Sequence, residues 1–187
     1  MGRFVSVEGS VEIQRSGEGP WAKGRLDEPL CQGDTIRVGE RSRAAVALIN
    51  DAVLRLDEKT SMRLLDIAGK EEERSLLELI IGACQSLSRA PRVFEVNTPY
   101  INGLIEGTEF LMRVEADKAS ITVFEGKVAA SNDRGRLVLT RGESAEAQKG
   151  QAPQPRVLAR PRDAVQWALY YPPVLYLRPD EFPPGAG

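Results

Sequence analysis

The sequence contains no histidine, and that one absence removes histidine-based triads, most catalytic zinc sites and the commonest general base. Its two cysteines, Cys31 and Cys84, are too few for a disulfide framework and lack zinc-site spacing. They leave open either one bridge or two separate thiols. No apolar run approaches the roughly 20 residues that a membrane span requires. The richest, Leu76 to Ile81, has strand length. Charge of one sign is also missing: 25 basic and 27 acidic residues give a net charge of -2, without the basic footprint that nucleic acid demands. The mixed cluster from Lys70 to Arg74 reads as a solvated loop.

Catalytic signatures are equally scarce. There is no Gly-x-Ser-x-Gly elbow and no Ser-x-x-Lys. A phosphate loop needs a Lys after its glycines, whereas Gly103 and Gly107 bracket only Leu104-Ile105-Glu106. Calcium needs an Asp-x-Asp-x-Asp-Gly run, and none occurs. A carboxylate pair for glycan cleavage stays formally open, but the candidates Asp34, Asp51, Glu106 and Glu109 all sit at or beside turns. Neither a metal nor a cofactor is implied, and no residue is assigned a catalytic role.

What the chain does contain is alternation. With 42% apolar and 28% charged residues it has a globular balance. Over residues 1–150 short period-two bursts are broken by glycine-bearing turns, which predicts an antiparallel β-sandwich or roll of about a dozen short strands. Asn50-Asp51 between Ala45–Ile49 and Val53–Leu56 reads as a tight hairpin, with Asn the better fit to a positive φ. An echo links Val5-Ser6-Val7-Glu8-Gly9-Ser10-Val11 with Ile121-Thr122-Val123-Phe124-Glu125-Gly126-Lys127-Val128. Both copies suggest a corner at which glycine lets the sheet bend.

Residues 151–187 differ: eight of the twelve prolines fall there, too many for packed strands. The expected division is therefore a β domain over 1–150 and a proline-rich tail over 151–187, linking to a downstream domain. One short helix, about 162–171, is predicted inside the tail, with Val165, Ala168 and Leu169 on one face. Its aromatics Trp167, Tyr170 and Tyr171 mark a docking surface that should be covered by the β domain or by a following domain. Met1-Gly2-Arg3 runs straight into a strand without a secretion signal, implying that a leader or upstream domain has been removed.

Four motifs then stand in order. Leu30-Cys31-Gln32-Gly33-Asp34-Thr35-Ile36 resembles the Leu-x-x-Gly-Asp-x-Ile element of the FecR domain family. Val96-Asn97-Thr98-Pro99 followed by Glu106-Gly107-Thr108-Glu109-Phe110 is similar to its Val-x-Thr-Pro and Gly-Thr-x-Phe pair. Glu125-Gly126-Lys127-Val128 and Arg141-Gly142-Glu143 match its Glu-Gly-x-Val and terminal Gly-Glu. The likeness covers roughly residues 3 to 148, and Asn50-Asp51 departs from the family's usual Asp-Gly.

The resemblance implies an all-β module acting in the periplasm or otherwise outside the cytoplasm. Its expected partner is another envelope protein or a downstream domain of the same chain. The family's best known work is iron-siderophore signalling, but the cytoplasmic segment and membrane span of those regulators are not in this sequence. The stretch Asp163 to Pro173 resembles the junction of larger family members that continue into tetratricopeptide repeats. Gly33, Asp34, Thr98, Pro99, Gly107, Thr108, Phe110 and Gly126 are expected to build the fold rather than to react. The first functional expectation is a non-catalytic protein-interaction, scaffolding or signalling module of the envelope, a surface-glycan binding module is the second, and a carboxylate glycan-cleaving enzyme the third.

Overall fold

A computed structural model describes residues 2–66, 74–157 and 161–170. The predicted loop at Lys70 to Arg74 lies outside the described residues except for Arg74, and so does Tyr171. Among the described residues fourteen strands, all paired antiparallel, form a single sheet system. They are β1 (Gly2–Glu8), β2 (Val11–Gln14), β3 (Ala22–Lys23), β4 (Pro29–Leu30), β5 (Thr35–Val38), β6 (Arg43–Leu48) and β7 (Ala52–Leu56). Then follow β8 (Ser61–Asp66), β9 (Ser75–Asn97), β10 (Asn102–Val114), β11 (Lys118–Asn132), β12 (Gly135–Thr140), β13 (Ser144–Gln148) and β14 (Gln154–Arg156). The all-β expectation holds, and three strands are long: β9 has 23 residues, β10 has 13 and β11 has 15.

The sheet rolls because strands change partners at glycines. β1 pairs with β6 up to Glu8; Gly9, at φ +74, turns the chain, and β2 pairs instead with β5. The echo shows the same device. β11 pairs with β13 through Thr122, and beyond Gly126, at φ +117, it pairs with β12. Left-handed backbone of this kind is accessible to glycine at little cost. The pairing then returns to its start, since β9 takes β8 at one end and β7 further along.

All three long strands bend at one level. Arg92 stands opposite Gly107 and Leu87 opposite Glu109, so residues 88–91 of β9 face Thr108 alone. On the other side of β10, Gly107 faces Gly126. A Cβ on Gly107 would lie 2.4 Å from the Glu125 carbonyl oxygen, and one on Gly126 would lie 2.3 Å from that of Glu106. The two backbones meet there because neither carries a side chain. The bend folds the far halves of the strands over the near halves, and alternation supplies the lining. Phe94 and Ile105 from one side meet Phe110, Met112 and Ile121 from the other in one core, where the Phe94 and Phe110 rings sit 5.7 Å apart and tilted by 59°.

The hairpin between β6 and β7 is present, with a correction in detail. Asp51, not Asn50, carries the positive φ (+64), because the Asn50 side chain is otherwise employed. Its Oδ1 accepts from the Ala52 N–H and its Nδ2 donates to Ser75 Oγ. The predicted C-terminal helix is a 3₁₀ segment, Pro161–Tyr170, broken at Val165 (φ -115, ψ 17). The cysteines stand as separate thiols, Cys31 exposed and Cys84 buried. Burial pushes the Cys84 thiol up to about 12.

Candidate interaction surfaces

The motif residues are spent on the chain's own backbone. Asp34 is 1% exposed, and its carboxylate accepts from the Cys31 N–H (2.9 Å), the Ser16 N–H (3.1 Å) and Arg15 Nη1 (2.6 Å). Gly33, at φ +83, donates its N–H to the Leu64 carbonyl at 2.7 Å. Together they tie the approach to β5 onto β8. At the corner between β9 and β10, Thr98 Oγ1 donates to the Ile101 carbonyl (2.6 Å) and accepts from the Ile101 and Tyr100 N–H groups. Pro99 holds the corner's backbone. Phe110 is a core anchor, and Thr108 sits at the bend with its buried Oγ1 lacking a hydrogen-bond partner among the described residues. In the last motif Glu143 accepts from the Thr140 N–H (2.6 Å) and hydroxyl (3.0 Å), which holds its carboxyl below the usual range.

The four turn carboxylates go separate ways. Asp34 is bound to its own turn, Asp51 lies in the β6–β7 hairpin, and Glu106 is exposed on β10. Glu109 accepts from Gln85 Nε2 (2.9 Å) and Arg162 Nη1 (3.0 Å). Among the described residues no three His, Cys, Asp or Glu side chains gather in a metal-holding group.

The sheet has a second, outward apolar face that periodicity alone did not single out. Ala45 and Val53, with Ala83, Leu111 and Phe124, form a strip across β6, β7, β9, β10 and β11. Val165 and Ala168 of the 3₁₀ segment are buried on it, and Trp167 is half-buried beside them. Arg162 seals one end, bonded to Glu109 and stacked 5.3 Å over the Phe124 ring. Val165, Ala168 and Trp167 of the segment thus pack on the β body. Of the predicted docking aromatics only Trp167 has a described side chain.

Among the other surfaces are hollows and the sheet's edge. A shallow hollow of about 470 Å³ is lined by Thr98, Tyr100, Asn102, Asn132, Asp133 and Lys149. Asn132 and Tyr100 are engaged with the chain itself: Asn132 Nδ2 donates to the carbonyls of Tyr100 and Gln151, its Oδ1 accepts from the Arg134 and Gly135 N–H groups, and the Tyr100 hydroxyl donates to the Ala116 carbonyl, while Asp133 and Lys149 line the rim. At the sheet's edge, β3 and β4 have two residues each and β14 has three, with Pro29 in β4 and Pro155 in β14, whereas β12 runs six residues without proline. At the far end of β9, Arg92 bonds the Asn50 carbonyl and Glu95 pairs with Arg74.

This is an all-β chain whose motif residues Asp34, Thr98 and Glu143 bond backbone groups of their own turns. The FecR protein family matches residues 34–129, and the chain belongs to that family. Two crystal structures described as an anti-sigma factor from Parabacteroides distasonis share the fold. One has a TM-score of 0.61 at 18% identity over 72% of this chain and 64% of the other. The second has a TM-score of 0.56 at 19% identity over 65% and 58%. The chain thus spans about three fifths of the length of each. No curated protein matches it.

Proposed function

We propose that the chain is a non-catalytic interaction, scaffolding or signalling module of the bacterial envelope, working outside the cytoplasm and receiving another protein. The observation that carries this reading is the use of the family motifs: Asp34, Thr98 and Glu143 each bond backbone groups of their own turns, so the motifs serve the fold rather than a reaction. Regulation by protein contact agrees with the description anti-sigma factor borne by two proteins of the same fold. Asp34 and Glu109 are each held by different neighbours, which weighs against a paired role in glycan cleavage, and the Asn132 and Tyr100 side chains are spent on backbone carbonyls, which weighs against sugar binding in the hollow beside them. No helix among the described residues is long and apolar enough to cross a membrane.

The test is capture from bacterial envelope extract on the immobilised full chain, with and without cell-wall polysaccharide as competitor. A protein retained in both conditions is the expected result. Elution by polysaccharide would turn the reading toward glycan binding. Turnover of cell-wall glycan abolished by one Asp or Glu change would turn it toward an enzyme.

A further inference from the structure

An edge strand offers unpaired backbone donors and acceptors at every second residue, and proteins usually blunt such edges with shortness, proline or charge. β3, β4 and β14 are blunted in this way. β12 has neither the shortness nor the proline: over Gly135–Thr140 it pairs with β11 alone among the described residues, and Arg136 is its one charge. The Thr140 N–H shows which residues face outward, because it is bonded by the Glu143 carboxylate beyond the sheet rather than by β11. By the two-residue period Arg136 and Val138 also turn their N–H and C=O groups away from β11.

The side chains define what would pair there. Val138 is 50% exposed and extends a cross-strand row with Ala129 and Leu104, the latter 36% exposed. Leu137, on the other face, packs against the core. Arg136 is exposed and has no ion-pair partner among the described residues; its row continues through the uncharged Ser131 and Asn102. A second copy of this chain would bring a second Arg136 to the same edge. An acidic side chain complements it.

We propose that β12 receives an extended segment of a protein partner, added as an antiparallel strand with an acidic residue opposite Arg136 and an apolar residue opposite Val138. This assignment rests on the interaction reading above and names the surface that performs it. Backbone bonds at Arg136 and Val138 supply attachment, and the two side chains supply register and selectivity.

The probes are two synthetic ten-residue peptides in which every second residue is threonine and the others are valine, save one central position that is Glu in one peptide and Lys in the other. With the isotope-labelled full chain, the Glu peptide slows solvent exchange of the Arg136 and Val138 amides and binds up to about five-fold more tightly than the Lys peptide. Arg136→Glu inverts that preference, and Val138→Pro abolishes binding while leaving the amide spectrum of β1 to β8 in place. Protection at neither amide, equal binding of both peptides, or protection that grows with protein concentration in the absence of peptide overturns the assignment; the last result would show that a second copy fills the edge. Repeating the envelope capture with Val138→Pro separates the two readings. A partner held equally by variant and parent defeats the β12 assignment alone. Capture by neither defeats the interaction reading, and the peptides still judge β12.

Discussion

Replacing Gly126 by Ala tests the bend on which the roll depends. Two costs combine at this position. A side chain at φ +117 is strained by about 1–3 kcal/mol. The new Cβ would also stand 2.3 Å from the Glu106 carbonyl oxygen and 2.5 Å from the Gly107 Cα, an overpacking of backbone on backbone worth about 1–3 kcal/mol more. The sum is about 4 kcal/mol, or roughly 8–16 °C in Tm for a chain of this size. Two other glycines resolve the costs. Gly107 has no positive φ but meets the Glu125 oxygen at 2.4 Å, so Gly107→Ala carries the steric cost alone, about 2 kcal/mol. Gly142 has φ +84 with nothing within 4 Å of the added Cβ, so Gly142→Ala carries the conformational cost alone, about 1 kcal/mol. Denaturant unfolding of the three variants, with m unchanged, measures the order Gly126 > Gly107 > Gly142. If Gly126→Ala costs no more than Gly142→Ala, the close approach of β10 and β11 is refuted.

Asp34→Ala strips the acceptor from two N–H groups and from Arg15, and should cost about 2–3 kcal/mol in denaturant unfolding, with Asp34→Asn recovering part of it. Ala168→Glu places a charge on the apolar strip beneath the 3₁₀ segment; trypsin should then cut faster after Arg156 or Arg162, whereas an unchanged rate would mean that the segment is not held there. A thiol reagent at pH 8 should modify Cys31 in the folded chain and Cys84 only after unfolding. The Cys84 thiol, raised to about 12 by burial from 9.0, keeps its proton in the folded state while the unfolded thiol loses its own, so stability should fall as pH rises from about 9 to about 12. Cys84→Ala should flatten that decline in an unfolding series against pH.

The fold was legible where a local rule sufficed. Alternation marks β1, β6, β7 and β10, and the echo at Gly9 and Gly126 marks two partner changes, because a positive φ leaves its trace as glycine. The length of β9 was not legible. Its 23 residues read as separate short strands, since Gly82 and Pro91 look like breaks and only the partners on either side carry the ladder through. The apolar strip under the 3₁₀ segment was missed for a similar reason: Ala45, Ala83 and Leu111 face away from the main core, and an outward apolar residue acquires meaning only when something packs on it. Asp34 was visible as a motif residue, but its grip on the Ser16 N–H joins positions 18 residues apart and needed coordinates. The open edge at β12 depends on which strands lack a second neighbour, a property of the whole topology.

β9 belongs to both ends of the molecule. It hydrogen-bonds β7 and β8 from the N-terminal part and β10 from the C-terminal part. A calorimeter should therefore record one cooperative transition, and a fragment severed before Ser75 would lack the strand that both β7 and β8 lean on. Such long-range pairing also makes for slow refolding, because distant segments must meet before either half gains its ladder.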